Sequence, residues 1–402
     1  MVAFFFDIIF MWYFMILCTQ DDKNFNLYKK EIDNKKVRFK IQVIFSKWWP
    51  IFLAKYDHLK IRQVVLDNVD KMIKCKTGNL GFHVFKCPKC NKTLNVACTC
   101  KSRICSSCGN KYNEQRSTSI FSKIFKWKHR HVVFTIPEEL RRFFREDRKR
   151  LDYLFQASSL TIKWWFKEKY KKQKLIPGYI SVIHTFGRSL VFNPHIHMIL
   201  LDGGVSNVTK SFVNVNFFSY ASFRKRFMKI LLDMLERDID KKEFRQIKNS
   251  MYLNYKDGFY VYAPPNKFKS LIALIKYVCR YVARPVMAES RIINYDGTYV
   301  TFWYQRHNDD KIIIEKVHAL EFISRLIIHI PDKSFRQIRF YGIYHNSTIV
   351  KIDLKRIWSK EYSNYKKKSL NWRNMIVLSF NKDVLKCPIC QNIMIYYKYD
   401  YP

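Results

Sequence analysis

The cysteines of this 402-residue chain are concentrated in one short stretch, and this placement constrains the fold more than any other feature. Seven of the eleven lie between Cys75 and Cys108, and they form the pairs Cys87-x2-Cys90 and Cys105-x2-Cys108. Paired C-x-x-C spacing in a lysine-rich chain is typical of metal binding rather than of a disulfide scaffold. The 14 residues between the two pairs suffice to bring four thiolates onto one tetrahedral zinc ion. The sequence therefore predicts a structural zinc site.

Other candidate ligands lie around these pairs. Cys75, His83, Cys98 and Cys100 could complete a second zinc site, or one of them could replace a ligand in the first. The C-terminal Cys387-Pro388-Ile389-Cys390 has no visible partner pair in the sequence. Two incidental cysteines or a degraded zinc knuckle therefore explain it as well as a metal site does.

The charge balance predicts a polyanionic partner. The chain has 73 Lys and Arg against 33 Asp and Glu, a formal charge of +40. With 48% apolar residues it is a folding chain rather than a disordered basic tail. Nucleic acid is the partner that such a charge favours, although an AT-rich genome would account for part of the lysine excess. We expect no small-molecule substrate, and the sequence gives no oligomeric state.

Residues 1–18 are apolar except for Asp7. They lack a basic n-region and a small-residue cleavage site, so a secretory signal fits poorly. A bilayer span needs roughly 20 apolar residues, and a central Asp is costly in hydrocarbon. A misassigned start codon or a segment packed on the next helix is a better interpretation than a membrane anchor. We therefore expect a cytoplasmic, nucleoid-associated protein without stable membrane association.

Hydrophobic periodicity predicts an α+β protein in which a helical zinc module precedes an antiparallel sheet with flanking helices. Helical spacing covers 41–75, interrupted at Trp48-Trp49-Pro50, and the cysteine-rich stretch 78–109 reads as turns. Strands are predicted at 131–137, 179–184, 194–201 and 258–262, the third closed by Asp202-Gly203-Gly204. The second and third strands are adjacent, and helices are predicted between the others and at 267–284. A hairpin follows around Asp296-Gly297. The expected domains are 1–40 (an apolar, then basic segment), 41–128 (zinc-binding), 129–291 (catalytic), 292–345 (hairpin and helical extension) and 346–402 (a basic tail).

Two short patterns carry the candidate chemistry. His195 and His197 are two apart on a predicted strand, so both imidazoles face the same side and can bind one divalent cation. Tyr277 and Tyr281 are four apart on the following predicted helix and share a face. A tyrosine hydroxyl needs a nearby cation or base to act as a nucleophile. Taken alone, the histidine pattern is better explained by two half-buried histidines, and the tyrosine pair could simply belong to a core helix.

Together these segments resemble a known family. The cysteine segments 85–90 and 100–108 resemble the N-terminal zinc-binding domain of the rolling-circle transposases of the insertion-sequence-ninety-one group. The segments 131–137, 184–188, 193–197 and 277–281 resemble that family's catalytic domain in the right order, and Arg339-Phe340-Tyr341-Gly342 resembles a later element. The resemblance covers about 40–344, and Cys98 and the apolar N-terminus depart from it.

The resemblance implies an HUH endonuclease, in which two histidines bind magnesium or manganese and a tyrosine forms a 5′-phosphotyrosine link to single-stranded DNA. The implied residues are His195 and His197 for the metal and Tyr277 and Tyr281 for catalysis. His184 is the first choice for a third ligand, although it could equally orient the strand without touching the metal. The expected DNA contacts are Arg280, Arg284, Lys101 and Arg103. The alternatives are a plasmid replication initiator or relaxase, and an inactive zinc protein that only binds nucleic acid.

Overall fold

The computed structural model describes residues 40–57, 60–102, 104–109, 127–262, 286–306, 311–345 and 385–401, with isolated positions at 117, 120, 123–125, 271, 273–275, 277–278, 371, 373–374, 377 and 383. The helices are α1 (Ile41–Lys55), α2 (Gln63–Ile73), α3 (Glu138–Glu146), α4 (Leu151–Lys169), α5 (Tyr220–Asp238), α6 (Lys241–Asn254) and α7 (Ala319–Ile327). The strands are β1 (Phe82–Lys86), β2 (Thr93–Ala97), β3 (His129–Phe134), β4 (Leu175–Phe186), β5 (Phe192–Ser206), β6 (Phe212–Asn214), β7 (Val261–Tyr262), β8 (Ile292–Tyr295), β9 (Tyr299–Gln305), β10 (Ile312–His318), β11 (Ile338–Gly342) and β12 (Ile395–Asp400).

The largest sheet is antiparallel throughout and has the order β11-β4-β5-β3-β7, with β6 paired to β5. Its long central strands are β4 and β5, whose valine, isoleucine and aromatic residues suit a pleated, buried surface. The α+β fold class with an antiparallel sheet and N-terminal helices is confirmed. The predicted end of β5 at Asp202-Gly203-Gly204 is wrong, because the strand continues to Ser206. Gly203 accommodates the Phe212 ring of β6, with which a Cβ at this position would collide.

Alternation along β5 separates the two faces of this sheet. Ile196, Met198 and Leu200 lie in a core built with the helices α3, α4 and α5. Ile199 and Leu201 point the other way, into a second core that includes Val278. The histidines of β5 alternate with the first set, so they lie on the face that the segment around residue 278 covers.

The N-terminal helices pack on the hairpin sheet β10-β9-β8 and on α7. Ile44, Phe45 and Phe52 of α1 share a core with Phe302 of β9 and Phe322 of α7. This core therefore contains residues of both 41–128 and 292–345, which the sequence analysis placed in different domains. The domain boundaries themselves remain predictions.

The predicted interruption at Pro50 is wrong, because α1 runs through it from Ile41 to Lys55. A proline inside a helix costs a hydrogen bond. Pro50 itself is exposed, whereas Trp49 and Phe52 beside it are buried in the core, and that burial supports the helix across the proline.

The cysteine-rich stretch is not only turns. It contains the hairpin β1–β2, and β12 near the C-terminus pairs with β1 to give a three-stranded sheet, β12-β1-β2. In the described ranges, no helix combines the length and hydropathy that a bilayer crossing requires. The apolar segment 1–18 lies outside those ranges.

Candidate metal centre and cysteine sites

Three histidines converge on one face of the large sheet. In the β4–β5 register His184 lies directly opposite His195, and His197 follows two residues later on the same face. One ring nitrogen from each lies within 4.8 Å of one from each of the others. His184 and His197 are buried, whereas His195 is partly exposed. The cluster is therefore largely enclosed by protein, with His195 its least buried member.

Backbone carbonyls orient two of these rings. The Nε2 atom of His184 lies 3.1 Å from the Val278 carbonyl, and the Nδ1 atom of His195 lies 2.7 Å from the Asn193 carbonyl. A carbonyl oxygen only accepts, so each of these nitrogens carries the proton and the other ring nitrogen carries the lone pair. Fixing the tautomer of a histidine through its second nitrogen is typical of metal ligands.

A fourth histidine, His131 on β3, adjoins the cluster and was not predicted. Its Nε2 atom lies 2.7 Å from Nδ1 of His197, and the two rings stack with centroids 4.9 Å apart. Both side chains are buried. An imidazole partner, unlike a carbonyl, can donate or accept, so the tautomer decides the direction of this bond. In the tautomer in which Nδ1 of His197 donates to His131, Nε2 of His197 carries the lone pair that a cation can take.

Tyr277 lies beside these rings. Its ring centroid is 5.4 Å from that of His131 and 6.4 Å from that of His197, both in edge-on geometry. The neighbouring Val278 carbonyl accepts the hydrogen bond from His184. The segment that carries the tyrosine is thus bonded directly to a member of the histidine cluster.

Several predicted site residues cannot be placed. Tyr281, Arg280, Arg284 and Arg103 lie outside the described residues. Lys101 is exposed, directly after a cysteine, with a left-handed φ of 55°.

Eight of the nine cysteines in the described ranges form two separate four-sulfur clusters. Cys75, Cys100, Cys105 and Cys108 make one, and all four are buried. Cys87, Cys90, Cys387 and Cys390 make the other.

The prediction that Cys87/Cys90 and Cys105/Cys108 share one ion is therefore wrong, because the β1–β2 hairpin separates them. Cys75 and Cys100 are members of the first cluster, as the prediction allowed. The interpretation of Cys387 and Cys390 as incidental cysteines is wrong too, since they meet a partner pair.

His83 does not join either cluster found among the described residues. It lies exposed on β1 with its ring 5.4 Å from that of Tyr399. Alternation on β1 explains this position, since His83 faces away from the buried Val84.

Backbone amides stabilise the thiolate form of two cysteines of the second cluster, Cys87 and Cys387, whereas burial and the neighbouring sulfurs raise the pKa of Cys90 to about 12. The N–H groups of Cys90 and Lys89 lower the pKa of Cys87. Those of Cys390 and Ile389 lower the pKa of Cys387 to about 6. Thiolate is the form that binds a metal ion.

Comparison with known proteins agrees with this architecture. Residues 178–351 match the family model described as "Putative transposase", and residues 44–136 match that of a transposase zinc-binding domain. The chain is 25% identical over 355 residues to the transposase for insertion sequence element IS801 of Pseudomonas savastanoi pv. phaseolicola, covering 84% of each chain. These matches together support a transposase of the insertion-sequence-ninety-one group.

A second relative of the transposase is "Putative transposase y4qJ" of Sinorhizobium fredii, 25% identical over 320 residues, or 75% of this chain and 79% of the relative. No solved structure matches significantly. The similarity to transposases implies that this chain is a DNA-processing enzyme with DNA as its partner. The zinc-binding domain and the cysteine clusters support structural zinc.

Proposed function

We propose that this transposase nicks and transfers single-stranded DNA through a 5′-phosphotyrosine intermediate during rolling-circle transposition. The observation that carries the proposal is the junction of nucleophile and metal site. The hydrogen bond from His184 to the Val278 carbonyl joins the tyrosine segment to the histidine cluster. The ring centroid of Tyr277 lies 6.4 Å from that of His197, one of the three clustered histidines.

His184, His195 and His197 are the proposed ligands of a divalent cation. The arrangement fits a cation because a hydrogen bond orients each ring and one ring nitrogen from each lies within 4.8 Å of one from each of the others. Such a cation would polarise the scissile phosphate as a Lewis acid. Of the two expected cations, manganese suits nitrogen donors better, because magnesium prefers a complete octahedron of oxygens.

Tyr277 is the proposed nucleophile, with Tyr281 as the second tyrosine. The tyrosine oxygen bonds to phosphorus while the bond from phosphorus to the 3′ oxygen breaks. The phenol proton is lost, and the departing oxygen gains a proton to become a free 3′-OH. That 3′-OH is suited to prime replacement synthesis, and a second tyrosine allows a paired cut at the other end or the target.

Basic side chains are proposed to hold the DNA strand. A net charge of +40 favours a polyanion across much of the surface. Arg280 and Arg284 belong to the same sequence segment as the tyrosines, and Lys101 and Arg103 to the cysteine-rich stretch. We propose all four as phosphate contacts.

The test is a covalent adduct assay. Full-length protein is incubated with manganese and single-stranded oligonucleotides carrying the ends of its own element, and adducts are resolved on a denaturing gel. The wild type should form an adduct, and the double variant His195→Ala/His197→Ala should not. Tyr252→Phe is a matched control, because Tyr252 is exposed on α6, a helix whose Phe244 and Met251 pack into the core on the opposite face of the sheet. An undiminished adduct in the histidine variant would exclude metal-assisted cleavage at this site.

A further inference from the structure

Cys87 opens a tight loop that is closed by its own backbone. Its N–H donates to the carbonyl of Lys92 at 2.9 Å, and the N–H of Asn91 donates back to the Cys87 carbonyl at 3.0 Å. Asn91 has a left-handed φ of 58°. Outside the loop, Lys86 pairs with Thr93 at the end of the β1–β2 ladder.

The C-terminal loop repeats this conformation position by position. The N–H of Cys387 donates to the carbonyl of Asn392 at 2.9 Å, and the N–H of Gln391 donates back to the Cys387 carbonyl at 3.1 Å. Gln391 has the same φ of 58°, and Lys386 pairs with Ile393 across the loop. Both loops have the sequence Lys-Cys-Pro-x-Cys, so sequence and backbone repeat together.

The two loops face each other through their sulfur atoms. Sγ of Cys87 lies 3.4 Å from that of Cys390, Sγ of Cys90 lies 3.5 Å from that of Cys387, and Sγ of Cys390 lies 3.6 Å from that of Cys90. Four sulfurs at about 2.3 Å from a tetrahedral zinc are about 3.8 Å apart, close to these separations. We propose that these four cysteines bind one zinc ion, which joins the two ends of the chain.

The surrounding core is too small to hold the two loops together without help. Besides the cysteines it contains only Phe85 and Met394 as buried residues among those described, with Leu94, Val96 and Leu385 partly buried beside them. Small modules of this kind depend on metal binding for much of their folding energy. The ion therefore determines whether β12 stays paired with β1.

The site joins parts of the transposase that no family match joins. Cys87 and Cys90 lie within the matched zinc-binding domain, residues 44–136. Cys387 and Cys390 lie beyond residue 351, where the second match ends. The zinc-binding module is thus completed by the C-terminal tail, and removing the tail should damage a domain at the opposite end of the sequence.

Zinc stoichiometry of full-length protein tests the proposal, with no DNA or activity involved. Wild type measured by mass spectrometry should hold about two zinc ions per chain, one per four-cysteine cluster. The pair variant Cys87→Ser/Cys90→Ser should hold about one, and Cys387→Ser/Cys390→Ser should also hold about one. Cys98→Ser should keep both, because Cys98 lies outside the two clusters.

The decisive comparison is the quadruple variant. If the two pairs share one ion, replacing all four cysteines removes no more zinc than replacing either pair. Loss of a second ion in the quadruple variant, or an unchanged zinc content in the Cys387→Ser/Cys390→Ser variant, would overturn the shared site. Cobalt substitution of the wild type avoids any folding defect of a variant. The absorption typical of tetrahedral four-sulfur cobalt should grow until about two cobalt ions are bound per chain. Saturation at one ion per chain would contradict the proposal.

Discussion

Removal of the His131 imidazole should weaken manganese binding at the histidine cluster. Its hydrogen bond to Nδ1 of His197 is 2.7 Å long, and both side chains are 7% exposed. Water therefore has little access to replace the lost partner. Loss of such an outer partner typically costs 10–100-fold in metal affinity. This corresponds to about 1.4–2.7 kcal/mol.

The assay is a manganese titration of zinc-loaded, full-length protein, with free manganese followed by electron paramagnetic resonance. His131→Ala should show the 10–100-fold loss. His131→Gln should recover part of it, because its amide oxygen can accept the hydrogen bond from His197. His83→Ala is the control, since His83 is exposed and distant in the fold. Wild-type affinity in His131→Ala, or an equal loss in His83→Ala, would refute the role of His131 in positioning His197. Thermal unfolding of the metal-free variants shows whether any loss of affinity comes from misfolding instead.

Three further predictions rest on independent features of the transposase. Binding of single-stranded DNA should weaken about 100-fold or more between about 50 and 200 mM salt, as measured by fluorescence anisotropy, whereas a flat response would attribute the +40 charge to codon bias. Burial lowers the pKa of His129 from 6.5 to about 4, so the unfolded protein binds this proton at higher pH than the folded protein does. This one group should therefore contribute a loss of about 2 kcal/mol in the free energy of unfolding from pH 7.5 to 5. Chemical denaturation should show a smaller fall in His129→Gln than in wild type, and an equal fall would contradict this. Gly342→Ala should cost roughly 2 kcal/mol or more in the free energy of unfolding, because Gly342 has a φ of 59° and a Cβ would collide with the Pro177 carbonyl. Gly187→Ala, which has open space around it, should be near neutral, and equal effects of the two variants would contradict the reasoning.

The histidine cluster was predictable where it depended on local periodicity. His195 and His197 share a face because strand side chains alternate, and one sequence suffices to see it. The position of His184 opposite His195 depends on the register of β4 against β5, which a sequence suggests only through the shortness of the connecting turn. His131 carries no spacing signal of its own. Its one clue was its place at the start of a predicted strand beside the catalytic segments.

The cysteine grouping could not be derived from spacing. Pairs close in sequence were expected to share an ion, yet Cys87 meets Cys390, 303 positions away. A contact between residues so far apart in the sequence depends on the pairing of β12 with β1, and no local sequence pattern predicts that pairing. The repeated Lys-Cys-Pro-x-Cys at 86–90 and 386–390 was the available signal.

The central claim is that a tyrosine beside the histidine cluster becomes covalently joined to DNA. Peptide mapping of the wild-type adduct by mass spectrometry, after nuclease trimming, measures this directly. We predict the nucleotide remnant on Tyr277 or Tyr281, attached through a 5′ phosphate, and its complete loss in the variant Tyr277→Phe/Tyr281→Phe while that variant still folds and binds DNA. A remnant on any other residue, or an undiminished adduct in the double variant, would contradict the account.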